Sequence, residues 1–411
     1  MTDRPLLVCD LTQSYSASGG GGISTYLREK RDYVLARTPH RLLQIVPGPV
    51  DRITADGRHI FAEVAADLVR GSPNYRFILR VGAVRRLLAE HRPDLIESLC
   101  PWVLPWTAIH HRRRHPGTAL IAGYRTDFPN AHVLRVATEK FGATLGRGFR
   151  WLSLAYAEIT YREFDRVYTL GGDASATLAR RGIDRTSVLP LGVDIGTFSP
   201  ARRDPGYRAS LGLPGTGPLL AYAGRIDNEK RADRLLAMFR RLPPALGAAM
   251  VMIGDGKLRP GLQERAKGLP IAFPGFEADR DELARALASA DLYVSAMADE
   301  TFGVSVLEAQ ASGLPVIGVA AGAMDARVPP GLGLLGPVDD VDAMAANVRA
   351  LWAADHRAIG RAARAHVERG FSWTATFDRL FGDIYPPALA RAAARVRVDR
   401  RETVGAAGPP C

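Results

Sequence analysis

Two glutamates separated by seven residues flank the start of a predicted helix in the second half of the chain. Glu300 follows an apolar run, and Glu308 lies inside a helix that Gly313 and Pro315 bring to an end. At about 1.5 Å of rise per residue the two carboxylates are more than one turn apart, so they serve different groups. The backbone amides between them belong to Thr301, Phe302, Gly303 and Val304. Such amides attract an anion, which predicts a diphosphate with a sugar at one end and a ribose at the other.

A second group of charges follows the predicted strand 219–223. Gly224 is followed at once by Arg225 and, five residues later, by Lys230. Ligands of open α/β sheets bind at the carboxyl ends of the strands, so both cations lie where a ligand is expected. Arg and Lys side chains both bind phosphate oxygens. The spacing therefore predicts a clamp on the phosphates of an anionic ligand.

Each of these two patterns also has a purely structural interpretation. Glu300 would then be a favourable charge at a helix N-terminus, and Glu308 a solvated helix residue. Lys230 would form a surface ion pair with Asp227 or Glu229. Spacing alone does not separate these interpretations from a ligand site.

A run of four glycines, from Gly19 to Gly22, precedes the predicted helix 23–37. Backbone without side chains lets a phosphate approach closely, and Gly21 and Gly22 stand next to the helix start. The run does not match a nicotinamide-dinucleotide fingerprint, because eight residues separate it from Asp10 and no acidic residue ends the second strand. It also lacks the Gly-Lys-Ser/Thr step of a P-loop.

The elements that position these residues belong to a globular chain of 411 residues, of which 47% are apolar and 24% charged. This length suits two domains. No apolar run approaches the roughly 18 residues of a membrane span, and no signal-type segment is complete before Asp10, so we expect a cytoplasmic protein. The three cysteines are far apart, and neither a disulfide framework nor a structural metal is indicated.

The net charge of +11 is concentrated in the first half of the chain, where residues 1–200 contribute +8. A basic surface of this kind meets an anionic partner. No zinc finger, RNP-like strand or basic heptad repeat is present to read bases, so we expect no nucleic acid. An anionic lipid surface or a phosphorylated acceptor fits the charge at least as well.

Short apolar runs alternate with helical patterns, which predicts an α/β fold of doubly wound, parallel sheets. One series of strands covers 5–11, 41–46, 94–97, 119–123, 166–170 and 187–190, and a second covers 219–223, 249–253, 271–273, 292–295 and 316–319. Residues 190–218 are dense in Pro and Gly and are interpreted as the interdomain linker. The sequence therefore predicts two Rossmann-like lobes.

Together these motifs resemble the retaining glycosyltransferases of the two-lobed GT-B type, in the family-4 group that includes lipid mannosyltransferases and sulfoquinovosyl lipid synthases. The resemblance covers roughly residues 5 to 385. Beyond the segments above, it includes Leu191-Gly192-Val193-Asp194, Phe198-Ser199-Pro200, Ile253-Gly254-Asp255-Gly256, Phe273-Pro274-Gly275-Phe276 and Ser312-Gly313-Leu314-Pro315-Val316.

The resemblance implies a domain organisation with a cleft between two lobes. Residues 1–195 would form the acceptor-binding lobe, and residues 196–370 the lobe that binds the nucleotide sugar. Residues 371–385 would be a helix that crosses back to the first lobe, and residues 386–411 a flexible basic tail.

The resemblance also implies roles for the charged residues. Arg225 and Lys230 would neutralise the donor diphosphate and the charge that grows on it as the sugar leaves. Glu300 would hold sugar hydroxyls, and Glu308 the ribose. Protein cations and amides can stabilise such a leaving group, and the sequence has no Asp-x-Asp motif, so neither a cofactor nor a metal is expected beyond the nucleotide sugar itself.

Four further residues would contact the donor if the resemblance holds. Gly275 and Phe276 would border the base. Gly21 and Gly22 would approach the donor phosphate from the opposite lobe when the cleft closes and excludes water.

One position departs from the family pattern. In the segment from Tyr124 to Pro129, the residue after the aromatic is usually a His that contacts the donor sugar, whereas this chain has Arg125. A guanidinium cannot act as a base, but it can hold a phosphate or sugar oxygen. Asp127 is a candidate acceptor contact, with a turn-forming Asp as the alternative.

Basic segments with apolar residues suggest peripheral association of the first lobe with the cytoplasmic face of a membrane. Residues 75–90 and 141–161 each combine arginines with large apolar residues, and His110 to His115 reads His-His-Arg-Arg-Arg-His. An amphipathic basic helix lies on an anionic bilayer. A core-packed helix with a solvated face is the alternative.

The sequence thus predicts metal-independent, retaining transfer of a hexose from a nucleotide diphosphate sugar to a hydroxyl of an anionic lipid or glycan acceptor. Because residues 124–129 look most like those of mannosyl enzymes, GDP-mannose is the first expected donor and a UDP-hexose the second. A nucleotide-sugar epimerase of the same fold and a catalytically degenerate glycan- or nucleotide-binding protein are the alternatives.

Overall fold

The computed structural model of the protein describes residues 4–13, 15, 22–69, 76–125, 128, 138, 142–300 and 302–405. The chain divides into two compact units. Unit 1 comprises Met1–Pro190 and Thr376–Cys411, and unit 2 comprises Leu191–Ala375. The sequence had placed these two boundaries at residues 195 and 370.

Unit 1 is built on an eight-stranded sheet. The strands of unit 1 are β1 (Leu7–Leu11), β2 (Arg41–Gly48), β3 (Arg52–Asp56), β4 (His59–Ala65), β5 (Asp67–Leu68), β6 (Arg76–Phe77), β7 (Leu95–Ser98), β8 (Ala119–Tyr124), β9 (Arg166–Thr169) and β10 (Thr186–Val188). The order across the large sheet is β10-β9-β8-β7-β1-β2-β4-β3, and its pairs are parallel except β3 with β4. The order reverses between β7 and β1, which makes the carboxyl ends of these two strands the expected ligand site of this unit.

In the described residues before 190, the helices of unit 1 are α1 (Gly22–Arg37), α2 (Val81–His91), α3 (Leu104–Arg114), α4 (Ala143–Arg162) and α5 (Gly172–Ala179). A helix over residues 75–90 was expected, and this expectation is wrong at its start. Arg76 and Phe77 pair with the β5 strand in a short antiparallel hairpin instead, so the helix begins only at Val81.

Unit 2 contains a six-stranded parallel sheet. Its strands are β11 (Leu219–Ala223), β12 (Ala249–Ile253), β13 (Ile271–Gly275), β14 (Leu292–Val294), β15 (Val316–Val319) and β16 (Gly333–Gly336), in the order β13-β12-β11-β14-β15-β16. Residues of β11, β12 and β14 are buried throughout, as expected for central strands that helices cover on both faces. The order reverses between β11 and β14, so the carboxyl ends of these strands form the second expected ligand site.

The helices of unit 2 are α6 (Tyr207–Ser210), α7 (Ala232–Phe239), α8 (Arg259–Arg265), α9 (Arg280–Ser289), α10 (Val304–Ala311), α11 (Met324–Arg327), α12 (Val341–Ala353) and α13 (His356–Gly370). Short 3-10 turns occur at Pro200–Arg202 and Pro244–Leu246. Within the described ranges, none of the protein's helices combines the length and the apolarity that a membrane span requires.

The chain returns to unit 1 through α14 (Trp373–Arg379), a π-helical segment at Leu380–Ile384, and α15 (Tyr385–Gly405). The expectation of a flexible tail from residue 386 is therefore wrong for most of that segment. Ala388 and Ala392 are buried, and Arg391 and Arg395 both pair with the buried Asp165, so small residues and ion pairs hold α15 against the rest of unit 1. The sequence pattern did not predict that α15 packs on unit 1, because alanines contribute little to an apolar signal.

Candidate active site

Loops at the carboxyl ends of β11, β12 and β13 contact one another closely. The amide of Gly254 donates to the carbonyl of Gly275 at 2.7 Å, and the amide of Gly224 donates to that of Ile253 at 3.0 Å. A Cβ on Gly254, whose φ is 137°, would lie 1.9 Å from the carbonyl oxygen of Gly224. Only glycine fits there. The backbone at the mouth of the sheet is thereby held in one arrangement.

The two predicted cations follow β11 and have different partners. Arg225 is more than half exposed and pairs with Asp227 and, at 2.9 Å, with Glu229. The carboxylate of Asp227 also accepts a hydrogen bond from the backbone amide of Lys230 at 2.9 Å. Asp227 and Glu229 thus pair with Arg225 and not with the ammonium group of Lys230, which differs from the surface-pair interpretation of the sequence.

The ammonium group of Lys230 lies 3.1 Å from Oε2 of Glu300, and the two side chains are 22% and 10% exposed. This contact joins the loop after β11 to the loop after β14, the two strands at which the sheet order reverses. Oε1 of Glu300 accepts a hydrogen bond from the amide of Gly303 at 3.0 Å. One carboxylate therefore positions Lys230 and also fixes the loop that begins α10.

The N-terminus of α10 comes directly after the loop that Glu300 fixes. Gly303 adopts φ 83°, a conformation that glycine tolerates best, and the amide of Leu307 donates to its carbonyl at 3.1 Å. The amides of Val304, Ser305 and Val306 come before this first bond of the helix, at its positive end. Thr301, predicted to contribute another amide, lies outside the described residues.

Arg327 is a residue that the sequence analysis missed. It ends α11, and its Nε donates to the carbonyl of Phe302 at 2.6 Å. Its guanidinium carbon lies 4.1 Å from the centre of the Phe302 ring and 5.0 Å from that of Phe371. Burial lowers the pKa of Arg327 to about 10. A single Arg before Val-Pro-Pro carries no motif, so only the three-dimensional contact with the α10 loop reveals it.

The carboxylate of Glu308 lies inside unit 2 and is 7% exposed. Its Oε1 accepts a hydrogen bond from Arg280 at 2.6 Å. Burial raises the pKa of Glu308, while the charge of Arg280 and this hydrogen bond oppose the rise. Glu308 is not the solvated helix residue of the structural interpretation. The ring of Phe276, next to Gly275, is 65% exposed.

In unit 1, Arg125 stands at the carboxyl end of β8. The residue is 9% exposed, and its guanidinium carbon lies 4.3 Å from the centre of the Tyr26 ring. Its Nη1 is buried and finds no hydrogen-bond partner among the residues that the structure describes. Gly22 begins α1, whereas Gly21 and Asp127 lie outside the described residues.

Beside Arg125 lies an ionic network that sequence patterns did not reveal. Lys30 pairs with Asp10 and, at 2.6 Å, with Glu97, and the side chains of all three have no exposed surface. Glu97 also accepts hydrogen bonds from the hydroxyls of three tyrosines. These are Tyr26 at 2.7 Å, Tyr168 at 2.7 Å and Tyr385 at 2.5 Å. Burial alone would raise the pKa of Glu97, but the charge of Lys30 and the three hydroxyls lower it below its ordinary value. The carboxyl group therefore stays ionised.

Of the predicted residues, Lys230 and Glu300 thus meet at the carboxyl ends of β11 and β14. Glu308 pairs with Arg280 instead, Gly275 ends β13, and Arg125 and Gly22 belong to unit 1. No group of three or more His, Cys, Asp or Glu side chains that could hold a metal ion occurs in the described parts of the chain. Arg225, Lys230 and the first amides of α10 are groups of the types that bind anions.

Comparisons with known proteins show the family and the fold of the chain. The family described as Glycosyltransferase Family 4 matches residues 20–197, and Glycosyl transferases group 1 matches residues 217–354. The fold resembles sucrose-phosphate synthase from Thermosynechococcus elongatus, with a TM-score of 0.70 and 20% identity over 98% of this chain and 100% of that one.

Two relatives are similar over most of their length. A GDP-mannose-dependent alpha-(1-6)-phosphatidylinositol dimannoside mannosyltransferase of Mycobacterium tuberculosis is 33% identical over 75% of this chain and 78% of its own. A GDP-mannose-dependent alpha-mannosyltransferase of Mycolicibacterium smegmatis is 32% identical over 88% and 92%. The expected fold class and family are confirmed: the chain belongs to glycosyltransferase family 4, has the GT-B fold, and is an enzyme that transfers a sugar from a nucleotide-sugar donor to a lipid or glycan acceptor.

Proposed function

We propose that this enzyme transfers mannose from GDP-mannose, with retention and without a metal ion, to a hydroxyl of an anionic lipid or glycan. The names of the two relatives support the donor. The observation that carries the proposal is the contact between Lys230 and Glu300 at the point where the sheet order reverses. This contact places a cation, which can bind the diphosphate, beside a carboxylate, which can accept hydrogen bonds from the sugar hydroxyls.

Departure of the sugar leaves the electron pair of the broken bond on the terminal phosphate, which adds one negative charge to the two that the diphosphate already carries. Arg225 and Lys230 are the cations next to this position, and the amides of Val304 and Ser305 stand at the positive end of α10. These groups are held in place before the reaction, so stabilising the new charge requires little rearrangement. This supports leaving-group stabilisation by the protein itself.

The nucleoside would occupy the other end of the site. Glu308 faces Arg280 within the unit, and the exposed ring of Phe276 beside Gly275 offers a flat surface for a base. We assign the ribose to Glu308 and the base to the Gly275–Phe276 turn. In unit 1, we assign Arg125 to a phosphate or sugar oxygen, because its buried Nη1 is an unused donor among the described residues. Gly21, Gly22, Thr301 and Asp127 keep the roles that the resemblance implies.

Helix α4 supports association with an anionic membrane surface. Five of its large apolar side chains are between 44% and 67% exposed: Leu145, Phe149, Trp151, Leu152 and Ile159. Exposed apolar surface of this extent on one helix marks an interaction site. Arg147 and Arg162 on the same helix are exposed as well, and they supply charge for anionic lipid. We propose that α4 lies on the bilayer beside a lipid acceptor.

Release of nucleoside diphosphate tests the reaction. GDP-mannose and UDP-glucose are each incubated with the enzyme, with and without a phosphatidylinositol mannoside acceptor, and with excess EDTA. We expect acceptor-dependent release of GDP that the chelator leaves unchanged. Epimerised donor without acceptor would indicate an epimerase, and binding without turnover a degenerate protein. Loss of activity in EDTA that magnesium or manganese restores would refute the metal-independent mechanism.

Flotation with vesicles tests the membrane surface separately. The double variant Trp151→Ser/Leu152→Ser is compared with Val50→Ser/Ile53→Ser, which removes two exposed apolar residues elsewhere in unit 1. We expect the first to lose binding to phosphatidylglycerol vesicles and the second to keep it. Equal binding by both variants would show that α4 is not the membrane surface.

A further inference from the structure

A cavity of about 400 Å³ lies at the amino ends of the strands of unit 1. Pro116 comes just before β8, Asp165 just before β9, and Arg185 just before β10, and all three line it. The candidate substrate residues of this unit, by contrast, follow the carboxyl ends of its strands. A ligand in this cavity would therefore lie away from the reacting groups of unit 1.

Arginine dominates the lining of this cavity. The cationic residues are Arg112, Arg113, Arg162, Arg185, Arg391 and Arg395, and the carboxylates are Glu163 and Asp165. Arg162 also pairs with Glu158 at 2.7 Å. Even with Glu158 included, the cations outnumber the carboxylates two to one. We call this space the arginine cavity.

The carboxylates of the arginine cavity already have partners. Asp165 is 2% exposed and accepts hydrogen bonds from the amide of Leu120 at 2.9 Å and from Arg395 at 3.1 Å. Glu163 accepts a hydrogen bond from Arg112 at 2.5 Å. These contacts fix Arg112 and Arg395. Asp165 also lies 3.8 Å from Arg391, so the three carboxylates Glu158, Glu163 and Asp165 are shared among four arginines, and Arg113 and Arg185 add two further positive charges.

Two arginines lack a carboxylate of their own. Arg113 forms no ion pair with any residue in the described part of the chain, and it is exposed. Arg185 donates to the carbonyl oxygen of Arg162 at 2.8 Å, which is a neutral acceptor. Burial and then the charge of Arg391 lower the pKa of Arg185, as expected where like charges gather. A bound anion would relieve this repulsion.

Helix capping explains only part of the cluster. Arg112 and Arg113 lie in the last turn of α3, and Arg162 ends α4, where cations interact favourably with the helix dipole. Arg185 stands in the segment before β10, and Arg391 and Arg395 lie in the middle of α15. The segment before β10 and helix α15 need no cation at these positions, yet together they bring three arginines to the same cavity.

We propose that the arginine cavity binds an anion with two or more charges on phosphate groups, separate from the donor substrate. Guanidinium groups bind phosphate oxygens through paired N–H donors, and several around one cavity favour a multiply charged ligand. The volume fits a diphosphate or a phosphorylated sugar head group. Either a free phosphate compound or the head group of a phosphorylated lipid supplies this chemistry.

Calorimetry with inorganic pyrophosphate tests the site on the full chain, with saturating GDP present to occupy the donor site. The test variant is Arg113→Ala/Arg391→Ala. It keeps all the hydrogen bonds within 3.5 Å that Asp165 accepts. The control is Arg86→Ala/Arg349→Ala, an equal loss of charge at exposed residues outside the cavity. We expect the test variant to bind pyrophosphate at least about 10-fold more weakly and the control to match the wild type. Equal affinity in test variant and control, or no binding by the wild type, would overturn the proposal.

Flotation then distinguishes the two sources of the anion. Vesicles of phosphatidylcholine with and without phosphatidylinositol 4-phosphate are offered to the wild type and both variants. If the test variant alone loses the extra binding to the phosphorylated lipid, the ligand is a lipid head group. If it loses pyrophosphate binding but floats like the control, the ligand is a free phosphate compound. Both outcomes support the site, and neither depends on turnover of GDP-mannose.

Discussion

Within unit 2, each charged side chain assigned to the donor already has an ionic partner in the structure. Lys230 has Glu300, Arg225 has Asp227 and Glu229, and Glu308 has Arg280. Such pairs hold long side chains in fixed positions, so less entropy is lost when a ligand binds. The residue types were visible in the sequence, but the pairing was not, because partners such as Lys230 and Glu300 are 70 residues apart.

The first prediction concerns the cations. Replacing Lys230 or Arg225 by Ala should lower kcat by about 10²-fold or more, because a preorganised charge on the leaving group is lost. Steady-state kinetics with GDP-mannose measure this. Lys267→Ala is the control, since Lys267 is exposed and pairs only locally with Glu264. Control-like rates in both variants would contradict the phosphate role.

The second prediction separates the two glutamates. Glu308→Ala should weaken binding of GDP by about 10 to 150-fold, as expected for the loss of a charge-assisted hydrogen bond to the ribose. Glu300→Ala should leave the affinity for GDP nearly intact and reduce transfer instead, because sugar contacts exist only while the mannose is attached. Calorimetry with GDP followed by donor kinetics measures both. Equal loss of GDP affinity in the two variants would mean that the division between sugar and ribose is wrong.

At the scale of elements, sequence patterns predicted the buried parallel strands well and the marginal strands poorly. The runs 219–223, 249–253 and 316–319 match β11, β12 and β15 to the residue, because central strands are continuously apolar. The β3 strand is exposed along its whole length, so it carries no apolar signal, and β16 begins and ends with glycine. The sequence patterns missed Arg327 of the candidate site for a similar reason, because its contact with Phe302 exists only in the folded structure.

Helix α3 provides the third prediction. Burial, together with His115 and His110, lowers the pKa of His111 to about 4, against about 6.5 in an unfolded chain. Protonation therefore favours the unfolded state, and stability should fall as the pH decreases from about 6.5 to about 4. His111→Leu should reduce this dependence, and His356→Leu should not. Thermal melting across this pH range measures the effect, and identical slopes in the wild type and His111→Leu would contradict it.

At the scale of the whole molecule, the Lys230–Glu300 contact of unit 2 and the ionic network of unit 1 both lie at the strands where their sheet reverses its order. In unit 2 these are β11 and β14, which precede Arg225 and Glu300. In unit 1 they are β7 and β1, which carry Glu97 and Asp10. The alternation of strands and helices in the sequence was enough to predict two such sheets. It could not predict the ionic network of unit 1, because isolated charges within apolar strands form no recognisable pattern.

The fourth prediction concerns that network. Lys30→Met should lower the free energy of unfolding by about 3 to 5 kcal/mol, because Asp10 and Glu97 would remain buried without their cation. Urea denaturation measures the change. Lys267→Met is the control and should alter stability by less than about 1 kcal/mol, as expected for an exposed pair. A similar small effect in Lys30→Met would show that the network does not depend on this charge.

The position of α15 has a consequence for synthesis of the chain. The hydroxyl of Tyr385 in α15 donates a hydrogen bond to Glu97, and Arg395 in the same helix forms an ion pair with Asp165. A ribosome delivers residues 1–190 long before these partners, so the first unit leaves the exit tunnel with two internal carboxylates incompletely satisfied. Chains that terminate early would keep that defect permanently. Cellular proteases and chaperones would thus have a physical basis for telling a truncated product from a finished one.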